Sequence, residues 1–119
     1  MNYMLLIIGF SEAGQEKPTG GGQGHGPTVE EFQTYDKALV DAGVKVDGSA
    51  LDDFRSATTV QVDGSGQRIV TNGPFGETGE FVGGYLILDL PDLDAALDWA
   101  ARCPGAKYGR VEVRPLAYF

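Results

Sequence analysis

Thr71-Asn72-Gly73-Pro74-Phe75-Gly76-Glu77-Thr78, followed by Gly83-Gly84-Tyr85-Leu86-Ile87-Leu88, is the stretch that decides the fold. Gly73-Pro74 stops one extended segment, because glycine permits positive φ and proline fixes φ and removes a backbone donor. Gly83-Gly84 then opens a nearly all-apolar strand over residues 84–90. Upstream, residues 57–63 and 67–71 are rich in Val and Thr and flank Asp63-Gly64-Ser65-Gly66, which is the pattern of a β-hairpin.

The remaining elements follow from periodicity and caps. Residues 3–9 read as a buried first strand. Residues 11–26 hold six glycines and one proline without apolar periodicity, so a long loop is expected there. Thr28 and Glu31 have capping-box spacing. Phe32, Tyr35, Leu39 and Ala42 then form one helical stripe, and Gly43 suits a left-handed C-terminal position. Residues 44–51 are expected to be extended. Asp92 is placed to cap a second helix, with Leu93, Ala96, Leu97 and Ala100 as its buried stripe and Pro104-Gly105 as its end. Residues 110–116 alternate, with Val111 and Val113 on one face and Arg110, Glu112 and Arg114 on the other.

The order strand, helix, several strands, helix, strand predicts an α+β ferredoxin-like sandwich, with two helices on one face of a mainly antiparallel sheet. The strands at 3–9 and 84–90 are apolar on both faces, and two helices cover only one. A second copy packed sheet to sheet about a twofold axis resolves the excess, so a homodimer is expected.

The 119 residues suit one domain. The net charge of −8, with nine scattered Lys and Arg, argues against nucleic-acid and membrane-surface partners. The apolar run 3–10 is too short to span a bilayer and lacks the flanks of a leader, which points to a cytoplasmic protein. Cys103 is the single cysteine, so no internal disulfide forms, and it reads as a small buried hydrophobe.

Residues 70–78, 83–87, 93–100 and 111–115, together with Tyr3-Met4-Leu5-Leu6-Ile7 and Ala57-Thr58-Thr59-Val60, resemble the YCII-related family. More narrowly they resemble its branch named for an Asp-Gly-Pro-Phe (DGPF) motif. The resemblance covers nearly the whole chain outside residues 11–26. It implies a dimeric α/β barrel without one established activity. Relatives of this architecture include lactone isomerases, cofactor-independent monooxygenases and dehalogenases, and branch members are often encoded beside sigma factors, which suggests a link to stress regulation. The chain departs from the family pattern twice. The motif's Asp is Asn72, and helix one carries Glu30, Glu31 and Phe32 where YCII-type members have a catalytic His.

Candidate chemistry is sparse. His25, the only histidine, titrates near neutrality and is the candidate general base, with Asp36 orienting it. Asn72, Glu77 and Tyr85, in and after the Gly-Pro turn, are candidate ligand contacts. Arg55 and Arg114 are candidate anion clamps, set against the commoner roles of ion-pair or rim residues. One His without further His or Cys nearby leaves no metal site, and no cofactor is implied. Gly20-Gly21-Gly22-Gln23-Gly24 lacks the Lys-Ser/Thr ending of a phosphate loop. Three functions compete: a small-molecule-binding dimer, a cofactor-independent lyase, isomerase or dehalogenase on a small carboxylated or lactone substrate, and a protein-interaction module meeting a sigma-factor-linked partner. The absence of the family histidine favours the first.

Overall fold

The computed structural model describes residues 1–10, 27–73 and 79–118. Its elements are β1 (Asn2–Phe10), α1 (Val29–Asp41), β2 (Lys45–Ala50), a 3-10 turn (Phe54–Ser56), β3 (Thr58–Val62), β4 (Arg68–Asn72), β5 (Glu80–Asp89), α2 (Leu93–Arg102), α3 (Gly105–Tyr108) and β6 (Arg110–Pro115). Four strands form an antiparallel sheet in the order β2-β5-β1-β6, and β3 pairs with β4 as a separate hairpin. With the hairpin set aside, the βαββαβ order and the strand neighbours are those of a ferredoxin-like α+β fold.

Local chemistry explains the helix ends. The Thr28 hydroxyl accepts from the Glu31 N–H, and the Glu31 carboxylate accepts from the Thr28 N–H, so two otherwise unpaired donors are satisfied. Gly43, at φ 72°, takes the left-handed turn that leads into β2. Asp92 caps α2 by accepting from the Ala95 N–H.

The core lies between the helices and one sheet face. Tyr3 and Leu5 of β1, Leu86 and Leu88 of β5, Tyr35 and Leu39 of α1, and Ala96 and Ala100 of α2 are buried together. Val111 and Val113 pack against them from β6, on the face the alternation predicts. The α1 stripe buries Tyr35 and Leu39, while Ala42 is exposed. The expected α2 stripe is rotated. Ala96 and Ala100 are buried, but Leu93 and Leu97 stay exposed and Trp99 moves inward instead. The Tyr35 hydroxyl donates to the Trp99 carbonyl at 2.6 Å, and the two rings meet edge to face at 6.2 Å. That contact goes with the rotation, which turns Ala96, Trp99 and Ala100 toward the core and leaves Leu93 and Leu97 outside. Cys103 is buried in the same core, and burial raises its thiol pKa.

Two further differences from the sequence expectation bear on the site. β5 begins at Glu80, four residues before the Gly-Gly pair completes, and continues through both glycines. Gly84 is suited to this place because a Cβ there would meet the Ser49 carbonyl of β2 at 3.0 Å. Past Pro104, the chain turns at once into α3 rather than running directly to β6.

The sheet face away from the helices carries Met4, Leu6, Tyr85 and Ile87, all half-buried, in adjacent register on β1 and β5. Glu112 and Arg114 border them on β6, and Asp47 and Ser49 on β2. Every side chain from 60 to 72 in the hairpin is exposed. Its turn is held by Asp63, whose carboxylate accepts from the Ser65 N–H, the Ser65 hydroxyl and the Gln67 N–H. The Ser65 hydroxyl does most to hold the Asp63 pKa below its ordinary value. Among the described residues no helix is long and apolar enough to cross a membrane.

Candidate functional site

A cavity of about 490 Å³ opens between α1, the β2–β5–β1 side of the sheet and the 3-10 turn. Its walls are mostly apolar: Ile7, Ile8, Phe32, Phe81 and Leu86, with Pro27 ahead of the helix. Gly48, Gly84, Gly105 and Gly109 line it without side chains. At Gly48 the bareness is forced, since a Cβ would lie 2.7 Å from a Leu86 methyl and 2.9 Å from the Tyr85 carbonyl. Phe54 and Phe81 stack with centroids 4.9 Å apart and line both this cavity and a more open groove of about 630 Å³ along Ser56, Ala57 and Val82.

Polar groups enter the wall at two places. Asp36 stands one residue beyond Tyr35 on the sheet-facing side of α1. Lys45 begins β2 opposite Leu88, on the helix face of the sheet. The Lys45 Nζ donates to Asp36 Oδ1 at 2.5 Å, and the pair ties helix to strand inside the cavity lining. Lys45 is the more enclosed partner, its side chain 25% exposed against 47% for Asp36. At the rim, Asp53 caps the 3-10 turn by accepting from the Arg55 N–H, and the Arg55 guanidinium donates back to both of its oxygens at 2.9 and 2.6 Å. These hydrogen bonds from Arg55 pull the Asp53 pKa down to about 2. Asp52, also at the rim, accepts from the Asp53 N–H. Tyr35 does not offer its hydroxyl to the cavity, because that proton is donated to Trp99, and burial raises its pKa further.

The residues singled out in the sequence are scattered. Asp36 is in the cavity wall, held by Lys45. Arg55 sits beside the rim, engaged by Asp53. Tyr85 borders the cavity but alternates with Leu86, so its ring lies on the helix-free face with Leu6 and Ser49. Arg114 lies on that same face, 3.5 Å from Glu112 and across the sheet from the cavity. Asn72 ends the hairpin opposite Thr58, away from the cavity. His25 and Glu77 lie outside the described residues. The structure thus brings Asp36 and the neighbourhood of Arg55 together and leaves Asn72 and Arg114 apart from them.

Lys45, Asp52, Phe54 and Phe81 carry the site and were not singled out by sequence. Lys45 occupies a strand with weak patterning, and its pairing with Asp36 exists only once α1 lies across β2. Asp53 and Arg55 had a local signal, an acid two residues before a base at a helix start. Among the described residues, no group of three or more His, Cys, Asp or Glu side chains is placed to hold a metal ion.

Fold and site together define a class: a ferredoxin-like α+β sandwich with a half-open apolar cavity beneath its first helix and an ion pair set in the cavity wall. The chain belongs to the YCII-related family, whose domain model matches residues 1–119. It is 33% identical over 93 residues to Uncharacterized protein R00369 of Rhizobium meliloti (strain 1021), an alignment covering 76% of this chain and 74% of that relative.

Proposed function

We propose that this protein binds a small, largely apolar molecule in the cavity under α1, within a homodimer of the Asp-Gly-Pro-Phe branch of its family. The observation that carries the reading is the cavity itself. Its volume falls within the range of small-ligand sites, and its walls are apolar with a few convergent polar groups.

The dimer rests on the helix-free face. Four strands at ordinary spacing present on the order of 500 Å² there, with an apolar centre at Met4, Leu6, Tyr85 and Ile87. A standard interface takes about 800 Å² from each partner. The hairpin supplies further apolar surface through Val60, Val62 and Val70, which share one of its faces and are exposed. A two-stranded ribbon is marginal alone in water, so this surface favours a neighbouring copy. A sigma-factor-linked protein partner would draw on the same hairpin.

Ligand occupancy is tested by a thermal-shift screen of small apolar metabolites, since binding to the native state alone raises the melting temperature as concentration passes the dissociation constant. A dose-dependent rise that weakens in Phe32→Ala, which strips an apolar wall from the cavity in a variant that still melts cooperatively, supports the cavity. A rise that Phe32→Ala leaves unchanged places the ligand elsewhere and removes this reading. For the dimer, light scattering at micromolar concentration is expected to give twice the 12.6 kDa chain mass. A monomer mass refutes it.

A further inference from the structure

We infer that the cavity is specific for an uncharged head group that both accepts and donates hydrogen bonds, a carboxamide in the simplest case, carried on a flat apolar body. The inference rests on the cavity being a ligand site and adds the chemistry of what it takes. Among the described residues four charged side chains line the cavity: Asp36, Lys45, Asp52 and Asp53. Lys45 is neutralised by Asp36, and Asp53 by Arg55. Among the described residues no cation pairs with Asp52. Among the described residues the lining therefore offers an anion no unpaired cation, and its surplus is negative. A carboxylate ligand drawn to Lys45 would compete with Asp36 for its charge and bring a further negative charge beside Asp36 and the acidic rim.

An uncharged head group has a different route. One Lys45 N–H is given to Asp36 Oδ1, and an ammonium carries three. Among the described residues Asp36 Oδ2 has no hydrogen bond. A carboxamide oxygen accepting from Nζ, with its N–H donating to Oδ2, would bridge the two side chains without separating their charges. An ammonium ligand reaching Asp36 Oδ2 would meet the Lys45 charge beside it. The apolar body is matched by Phe32, Ile7, Ile8 and Leu86 and by the Phe54–Phe81 stack, which suits an aromatic ring system.

The test uses one body with four ends: 1-naphthaleneacetamide, 1-naphthaleneacetic acid, 2-(1-naphthyl)ethylamine and headless 1-methylnaphthalene, titrated by calorimetry and naphthalene fluorescence at pH 7. The amide is expected to bind at least about tenfold more tightly than the acid or the amine. Asp36→Asn frees the Lys45 charge and should move preference toward the acid. Lys45→Met frees the Asp36 charge and should move it toward the amine. The double variant Asp36→Asn/Lys45→Met, with neither charge of the pair left alone, should keep the preference for the amide, and it serves if a single variant fails to fold. Tighter binding of acid or amine to the native protein overturns the inference. So does an order of affinities that the foldable variants leave unchanged. Binding of 1-methylnaphthalene alone overturns the head-group inference and leaves the cavity as a ligand site; failure of all four removes both.

Discussion

Leu88→Ala is expected to lower the free energy of unfolding by about 2–5 kcal/mol. Leu88 is fully buried in the middle of β5, the strand flanked by β1 and β2, and it stands opposite Tyr3 on one side and Lys45 on the other. Truncation removes buried methyl groups and leaves a void in the layer where sheet meets helix. The neighbours cannot collapse into that void cheaply. Tyr35 is held by its bond to the Trp99 carbonyl, and the backbone on both flanks of β5 is tied into ladders. Against a total stability of about 5–15 kcal/mol for an ordinary domain, this is a large fraction. Urea unfolding followed by circular dichroism should show a lower midpoint with an unchanged slope. Leu88→Met, which nearly conserves volume, should cost less than about 1.5 kcal/mol. Equal stability of the alanine variant and the wild type would mean that β5 does not carry the core.

Gly109→Ala is expected to be nearly as damaging, by the opposite mechanism. Gly109 links α3 to β6, and a Cβ there would lie 2.1 Å from the Ile8 carbonyl oxygen, 3.2 Å from its carbon and 3.4 Å from the Gly9 Cα. All three are backbone atoms, so no rotamer change relieves the contact. Either β1 shifts, disturbing the adjacent Ile8–Arg110 pairing, or the α3–β6 junction opens. Overpacking of this kind costs about 1–3 kcal/mol and sometimes more, and a backbone obstacle places this case near 3 kcal/mol. Gly64→Ala in the hairpin turn meets nothing within 4 Å and should leave the melting temperature almost unchanged. If the two variants melt alike, the close approach of the α3–β6 junction to β1 is not a feature of the folded protein. Gly109 also lines the cavity, so a folded Gly109→Ala protein should have a weaker ligand response than its stability alone accounts for.

The behaviour of particular elements shows what was legible. The capping box at Thr28 and Glu31, the left-handed Gly43 and the Asp92 cap depend on residues within a few positions of each other, and all three are present as read. The β6 alternation was equally plain. For α2 the sequence reading buried Leu93-Ala96-Leu97-Ala100 and put Trp99 and Cys103 on the margin, although Ala96-Trp99-Ala100-Cys103 also satisfies helical spacing. Hydrophobicity favoured the first. The structure takes the second, because small Ala faces let α2 approach the sheet and Trp99 meets Tyr35 from α1. Pro104-Gly105 ends α2 as read, and it also starts α3, since a proline at a helix start forfeits no hydrogen bond.

The sequence by itself determined the order and type of most elements, the antiparallel character of the sheet and the surplus of apolar residues on β1 and β5. Each of these follows from periodicity or from chemistry within one turn or one strand. That Lys45 meets Asp36, that Phe54 stacks on Phe81, and that glycines from β1, β2, β5 and α3 line one cavity became visible only in three dimensions. Those contacts join residues whose approach depends on strand order and helix placement. Their energies come from burial and pairing in three dimensions, which no local pattern along the chain encodes.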